Sequence, residues 1–484
     1  MASDPLLLMD LRQALPHATF SFPGSQEYEK KNKSYRSAIN TDFRPMFIFS
    51  PISREEVSTF VRVIKPHALS GRIKLSIVGN GCQISRGCNN THKGITIDMS
   101  SLRGIEIEDG GIVRIAAGET WGQVYDELQK KDLGVAGGMP HTSGVAGQAL
   151  HGCPSFFYSR HGFICDNVIN YEVVLASGHI VNANAEEHGN LLRALRGGGN
   201  NLGIVTRFDM RTFEQRSIFG GIFYYDIKNL PGQIDFLVSD LESPNPSKDT
   251  HIMITAYVFD YHRVVAENHI YIDDPIDRWP RFLEPFVPVG NGDRRQLEKI
   301  ELAQAVKEKG YLDADTKIKL RYFCINTIMN ADAKTLKDIS TIYLETGKAA
   351  WIKTETFCQG MRFSLSLQPY TRAMLESSAG KGGNSLGLSP RPGPLVSVRL
   401  IACWEQKVDD DGMRSVTRDI MRRMRMKAEA NDLQTVSYVD SNSGCESPIT
   451  PEDMDALRHA SHTYDPDGLF QIGVPGGFKL FNTP

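Results

Sequence analysis

The sequence predicts an α+β protein in two parts. Up to Phe213, short apolar runs alternate with helical patterns and glycine turns. Beyond Phe213 the runs lengthen, gain aromatic residues and are separated by helical stretches. A chain of 484 residues with 41% apolar content is long enough to bury two cores.

Residues 1–39 read as a polar lead-in with a weak helix near 5–15. A strand over 44–50 ends at Pro51. Ser53, with Glu55 and Glu56 in the first turn, opens a helix to about residue 64. Strands follow at 75–78 and 95–99, the first leading into a tight Gly79-Asn80-Gly81 turn. Residues 104–108 and 112–116 form a hairpin around Asp109-Gly110-Gly111. Thr120 caps a helix over 121–131.

The stretch 143–213 is the densest in glycine devices. A glycine-bearing loop leads into a helix-compatible run, then strands at 168–175 and 179–183, a helix at 186–196, a Gly197-Gly198-Gly199-Asn200-Asn201 turn and a strand at 203–208. Three successive glycines let the backbone adopt positive φ and approach a ligand. Their bare N–H groups suit phosphate. In the second part, strands are expected at 220–227, 251–259, 322–328, 363–368 and 396–404, a loop at 376–394 and a helix at 415–431. The tail, 464–480, reads as extended and turn-rich, and no internal repeat is present.

A net charge of −3 and a pI of about 6.5 argue against a nucleic-acid partner. No run approaches the roughly 18 apolar residues that span a bilayer, so no membrane partner is expected. The N-terminus lacks a basic segment followed by a long apolar one, which makes a cytoplasmic location the expectation. The eight cysteines include no CxxC pair, so free thiols are expected rather than a metal site or a disulfide frame. The partner expected is a small-molecule substrate.

Several strings carry a specific likeness: GITIDMSSL (94–102), AAGETWGQVYDEL (116–128), GVAGG (134–138), FICDNVINYEVVLASGHIVNANA (163–185), LLRALRGGGNNLGIVTRFDMRTF (191–213) and YDPDGLFQ…PGGFKL (464–480). With them the chain resembles the FAD-linked oxidases of the vanillyl-alcohol-oxidase (PCMH) type, in their berberine-bridge-enzyme-like branch and particularly its fungal members. The resemblance implies a two-part PCMH-type FAD-binding domain over 40–213. It also implies an antiparallel-sheet substrate domain backed by helices over 214–430, and a C-terminal segment, 431–484, that returns to the first domain. FAD would lie between the domains with its pyrophosphate on two glycine loops.

The first loop is Gly79-Asn80-Gly81-Cys82-Gln83. Cys82 falls where relatives often carry a histidine bonded to flavin, and Pro140 where some carry a second anchoring cysteine. FAD is therefore expected without a covalent link, if it binds at all. The second loop keeps Gly144, Gly147 and Gly152, but Ala146, His151 and Cys153 replace glycines, and these side chains are expected to crowd the cofactor. Gly203 and Val205 complete the implied cofactor contacts. The implied proton-handling positions become His161, Arg399 and Ser441, with Tyr438 able to stand in for a missing phenol; His151 is a further acid–base candidate. Each has a plainer reading: His151 as a packed loop histidine, His161 as an inter-strand residue, Cys82 as a small apolar filler, Arg399 as an interdomain ion pair and Tyr438 as strand packing. Two functions follow: an FAD-dependent oxidoreductase acting on a small hydrophobic specialised metabolite, or a flavin-independent cyclase, pericyclase or isomerase on the same fold.

Overall fold

The computed structural model describes residues 5–243, 246–247, 249–259, 262–273, 283, 286, 298–308, 319–354, 360–388, 393–431, 433, 435–440, 444–446 and 450–481. Its first sheet has the order Thr19–Ser21, Phe47–Ser50, Ile95–Asp98, Leu75–Val78, with the last three parallel. Phe47–Ser50 and Ile95–Asp98 are buried at every position, which is why they read as unbroken runs rather than alternations. The helix Arg54–Leu69 begins where the Ser53 side chain accepts from the Glu56 N–H. It lays Phe60 on Phe49, ring centroids 4.4 Å apart. Leu7 and Leu11 of the lead-in helix, Pro5–Ala14, join the same core.

The second sheet runs Ile105–Glu108, Ile112–Ala116, Ile204–Glu214, Val168–Val174, Ile180–Asn184, and Leu133–Val135 also pairs with Ile204–Glu214. Between these strands, Thr120 and Gln123 form a reciprocal capping box on the helix Trp121–Gln129.

The third sheet, nine-stranded among the described residues and antiparallel throughout, has the order Glu298–Ile300, Ile218–Asp226, Val264–Ile272, Thr250–Val258, Arg362–Tyr370, Leu395–Trp404, Arg321–Asn330, Thr435–Asp440, Gly444–Glu446. On one face Ile254, Ile270, Leu365, Val398 and Ile325 pack under the helices Leu230–Glu242, Ala333–Thr354 and Asp410–Ala430. The α+β architecture is thus the one expected. Leu457, Leu469, Phe470 and Leu480 belong to the core of the first part, so the chain end folds back onto it.

Three local expectations change. The strand Val264–Ile272 was not among those predicted. The helix Arg372–Gly380 occupies the start of the expected 376–394 loop, whose residues 389–392 lie outside the described residues. Thr371 caps it and Met374 and Leu375 are buried, so burial overrides a serine- and glycine-rich composition. In the tail, Leu469–Gly473 forms a π-helical turn rather than an extended segment. The Asp465 carboxylate holds it by accepting from the N–H groups of Leu469 and Phe470 at 2.8 and 2.7 Å.

One buried cation ties the lead-in to the large sheet. Arg321 is 4% exposed and donates through Nη2 to Asp42 at 2.8 Å and to Asp410 at 2.6 Å, while Trp404 Nε1 donates to Asp410 at 3.0 Å. Arg321→Met removes the cation shared by Asp42 and Asp410, and, because Arg414 still reaches Asp410 at 3.4 Å, is expected to cost stability at the low end of about 3–5 kcal/mol. A thermal melt within a degree or two of wild type (about the spread between repeat scans, far below the shift such a loss implies) would contradict this.

Candidate active site between the glycine loops and the large sheet

The two glycine loops touch. Cys82 Sγ lies 3.4 Å from the Thr142 carbonyl, and the Asn80 amide donates to the same oxygen. A Cβ on Gly144 would sit 2.9 Å from Asn80 Cβ, so this approach requires glycine. Gly81 has φ +69°, beside Tyr35. The Gln83 carbonyl accepts from Asn89 Nδ2 at 2.6 Å, which shapes the loop's exit. The helix Val145–His151 starts after Gly144 and stops at Gly152, whose φ of 68° is left-handed. At Gly147, by contrast, a Cβ would meet nothing within 4 Å, and at Gly79 its closest neighbours stand at 3.7 Å. Gly203 and Val205 lie deeper: a Cβ on Gly203 would strike Val173 at 2.4 Å, and Val205 is buried in the core. Their side-chain positions are sheet packing.

His151 folds back along its own helix. Its Nδ1 is 2.8 Å from the Gly147 carbonyl, which can only accept, so Nδ1 carries the proton and Nε2 the lone pair. The ring stands 3.2 Å from where a Gly199 Cβ would be. His151 is exposed, yet surrounding protein desolvates it enough to lower its pKa. Lys479 and Cys88 share this character: each is only half-buried, yet strongly desolvated by enclosing protein. Side chains both accessible and enclosed line a recess. Here they come from the second loop, the chain end and the segment after the first loop.

The large sheet presents its second face to this region. Its register aligns Glu267, Thr255, Ser366, Arg399 and Asn326 in one row across five strands. Arg399 and Asn326 are half-buried, whereas Val398, Leu400 and Ile325 on the opposite face are fully buried. Arg399 Nη2 has only the Met253 sulfur at 3.8 Å, and its buried Nε has no hydrogen-bond partner. Cys153 is within electrostatic reach of Arg399, and burial raises its thiol to about 11. Tyr370 neighbours both, and burial raises its phenol to about 12. Both stay protonated. In the next row, His269 Nε2 is 3.1 Å from Glu267 Oε1, to which Tyr257 also donates at 3.0 Å. A carboxylate only accepts, so Nε2 is protonated and the buried, unpartnered Nδ1 holds a lone pair.

The structure therefore brings Arg399 and Cys153 together and places His151 in the recess. His161 is elsewhere: its ring stacks on Phe213 at 4.3 Å and 9°, and burial, with Lys381 and Arg160 adding to it, lowers its pKa to about 4. Tyr438 pairs with Thr327 in the sheet, and its side chain lies outside what is described; Ser441 lies outside altogether. Sequence reasoning missed Glu267, His269, Tyr257 and Lys479.

Residues 45–184 match the family model described as an FAD binding domain. An FAD-dependent monooxygenase of Fusarium proliferatum is 29% identical over 458 residues, covering 92% of this chain and 87% of that one. Another FAD-dependent monooxygenase, of Cochliobolus heterostrophus, is 28% identical, with 90% and 85% covered. Among solved structures, a variant of berberine-bridge-like enzyme 1 from Physcomitrella patens superposes with a TM-score of 0.76 at 16% identity over 99% of this chain and 100% of that one. The 6-hydroxy-D-nicotine oxidase of Arthrobacter nicotinovorans gives 0.74 at 18%, over 94% and 96%. The chain is an FAD-linked oxidoreductase with the berberine-bridge-like fold.

The geometry fits the flavin. The two glycine loops, 79–83 and 144–152, both lie within the matched residues 45–184, and a Cβ on Gly147 would meet nothing within 4 Å. The expected crowding is relieved in part: His151 is tied back to Gly147, and the Ala146 methyl packs with the core of the first part. No helix among the described residues of this flavoprotein is long and apolar enough to cross a membrane.

Proposed function

We propose that this flavoprotein is an FAD-dependent monooxygenase of a small, largely apolar metabolite that carries an acidic hydroxyl, and that it holds FAD without a covalent bond. The polar row on this sheet face carries this reading, because among the described residues the half-buried Arg399 has a thioether and no carboxylate as its partner, and its Nε has none. The relatives named FAD-dependent monooxygenases support the reaction class. Residues 79–83, with Gly144, Gly147 and Gly152, would hold the cofactor, and Cys82 in place of a histidine favours the non-covalent state.

Bound FAD would supply hydride acceptance and, once reduced, reaction with dioxygen. The chain's own groups do the rest. Arg399 would orient the substrate oxygen through its fork of N–H donors and favour its anionic form. His269 Nδ1 would accept the hydroxyl proton, with Glu267 holding the opposite nitrogen protonated and balancing the imidazolium charge. Tyr370 and Cys153, kept neutral by burial, would close the pocket without competing as bases.

The test supplies labelled dioxygen, and a reduced nicotinamide nucleotide as the two-electron donor, to the flavin-loaded protein with a panel of phenolic and enolic polyketides, so that one oxygen atom enters product and the other leaves as water. One ¹⁸O atom per product molecule is the expected result. Hydrogen peroxide formed in step with product, and no label incorporated, would overturn the monooxygenase reading in favour of an oxidase.

A further inference from the structure

We propose that Lys479 is the counter-cation of the FAD diphosphate and takes up a proton as the cofactor enters. The proposal rests on FAD lying in the recess between the glycine loops. Lys479 stands where the structural parts of that recess meet. Its Nζ donates to Asn200 Oδ1 of the triple-glycine turn at 3.0 Å, to the Phe470 carbonyl at 3.0 Å and to Asn201 Oδ1 at 3.4 Å. Its three N–H bonds thus meet three neutral acceptors. No carboxylate forms an ion pair with it among the described residues. An ammonium bonded only to neutral acceptors, with no ion pair among the described residues, keeps a charge that favours an anion beside it.

The groups around it reinforce this. Asp465 is the carboxylate that acts on it, but both its oxygens already accept from Leu469 and Phe470 N–H groups. Cys88 lies behind it, its thiol raised to about 11 by burial and so uncharged. His151, facing the same recess, is lowered by burial and stays neutral near pH 7. With these surroundings, burial lowers the amine to about 7. Oxidised FAD is neutral at this pH except for its diphosphate, so the anion that enters is the diphosphate. Its charge favours the ammonium form and draws a proton from solvent.

The linkage has a definite sign. Below the amine's pKa in the empty protein the lysine is charged before and after binding, and contributes no change of affinity with pH. Above it, binding requires one proton, and affinity falls tenfold per pH unit until the pKa of the complex is reached. Calorimetric titration of the deflavinated protein with FAD, in two buffers of different ionisation enthalpy, reads the proton directly. Wild type should take up close to one proton above neutrality, whereas uptake near pH 6 belongs to Asp465, whose carboxyl burial raises to about 6, and should persist in both lysine variants. Lys479→Met should abolish the uptake above neutrality and weaken binding at low pH. Lys479→Arg, permanently charged, should retain tight binding with no uptake above neutrality, which separates charge from folding. ADP-ribose, which has the doubly esterified diphosphate but no flavin ring, should reproduce the uptake, and riboflavin should not. Unchanged uptake above neutrality in Lys479→Arg, a pH-independent wild-type affinity, or uptake with riboflavin but not ADP-ribose would each overturn the proposal.

Discussion

Arg399→Met is expected to lower kcat/KM by about 100- to 1,000-fold, the scale of losing one preorganised donor to a developing oxyanion, roughly 3–4 kcal/mol. The flavin content of the protein should not change. The expectation follows from strand register. Arg399 sits at the centre of a sheet whose opposite face is closed by helices, so its side chain opens only onto the cleft. A guanidinium with an unpartnered buried Nε and a thioether as its other neighbour has not been neutralised by the protein. Methionine keeps the length and removes the donors. A lysine in the same place would supply one point charge instead of a planar fork, so Arg399→Lys should recover only part of the loss. Full activity in Arg399→Met, with normal flavin content, would remove the residue from the reaction.

Glu267→Gln is expected to lower kcat by about 100- to 10,000-fold, the range over which a positioned proton acceptor acts. The glutamine is isosteric, so the effect is one of tautomer rather than packing. With a carboxylate at 3.1 Å, His269 must carry its proton on Nε2 and present a bare Nδ1. An amide can turn its NH₂ toward Nε2, which shifts the proton to Nδ1 and blocks it as an acceptor. His269→Gln should show a loss of similar size, and the double variant should be little worse than either single one, because the two residues act as a unit. A nitrogen-15 NMR spectrum of labelled histidine reads the tautomer independently of turnover. If Glu267→Gln left both the tautomer and kcat unchanged, the dyad would be structural.

The cofactor half of the site was legible in the letters and the substrate half was not, for identifiable reasons. The triple glycine, the Gly79–Gln83 turn and the Gly144–Gly152 run each advertise close backbone approach in their own letters. His151 stood out as a ring in a glycine position, although its tie to the Gly147 carbonyl depends on the helix that forms there. Arg399 could be named, but its isolation from carboxylates is a property of five strands in register. Glu267 and His269 were hidden because Glu267-Asn268-His269 interrupts an apolar run with polar letters, and the strand was not recognised. Only pairing between Phe223 and Ile254 shows that Asn268 faces the helices and its two neighbours face the cleft. Lys479 is a single lysine in a turn-rich tail, and its environment comes from Asn200, far away in sequence. His161 shows the converse: a plausible base by position that the fold uses to stack on Phe213.

FAD held between the glycine loops and the large sheet without a covalent bond leaves the protein when the protein is precipitated with acid. The most direct measurement is the visible spectrum of the purified protein, supplemented with FAD, before and after acid precipitation. Flavin absorbance is expected in the native protein, with its complete transfer to the supernatant, leaving a colourless pellet. A protein that remains colourless after soaking in FAD would contradict the occupied site, and a yellow pellet would contradict the absence of a covalent bond.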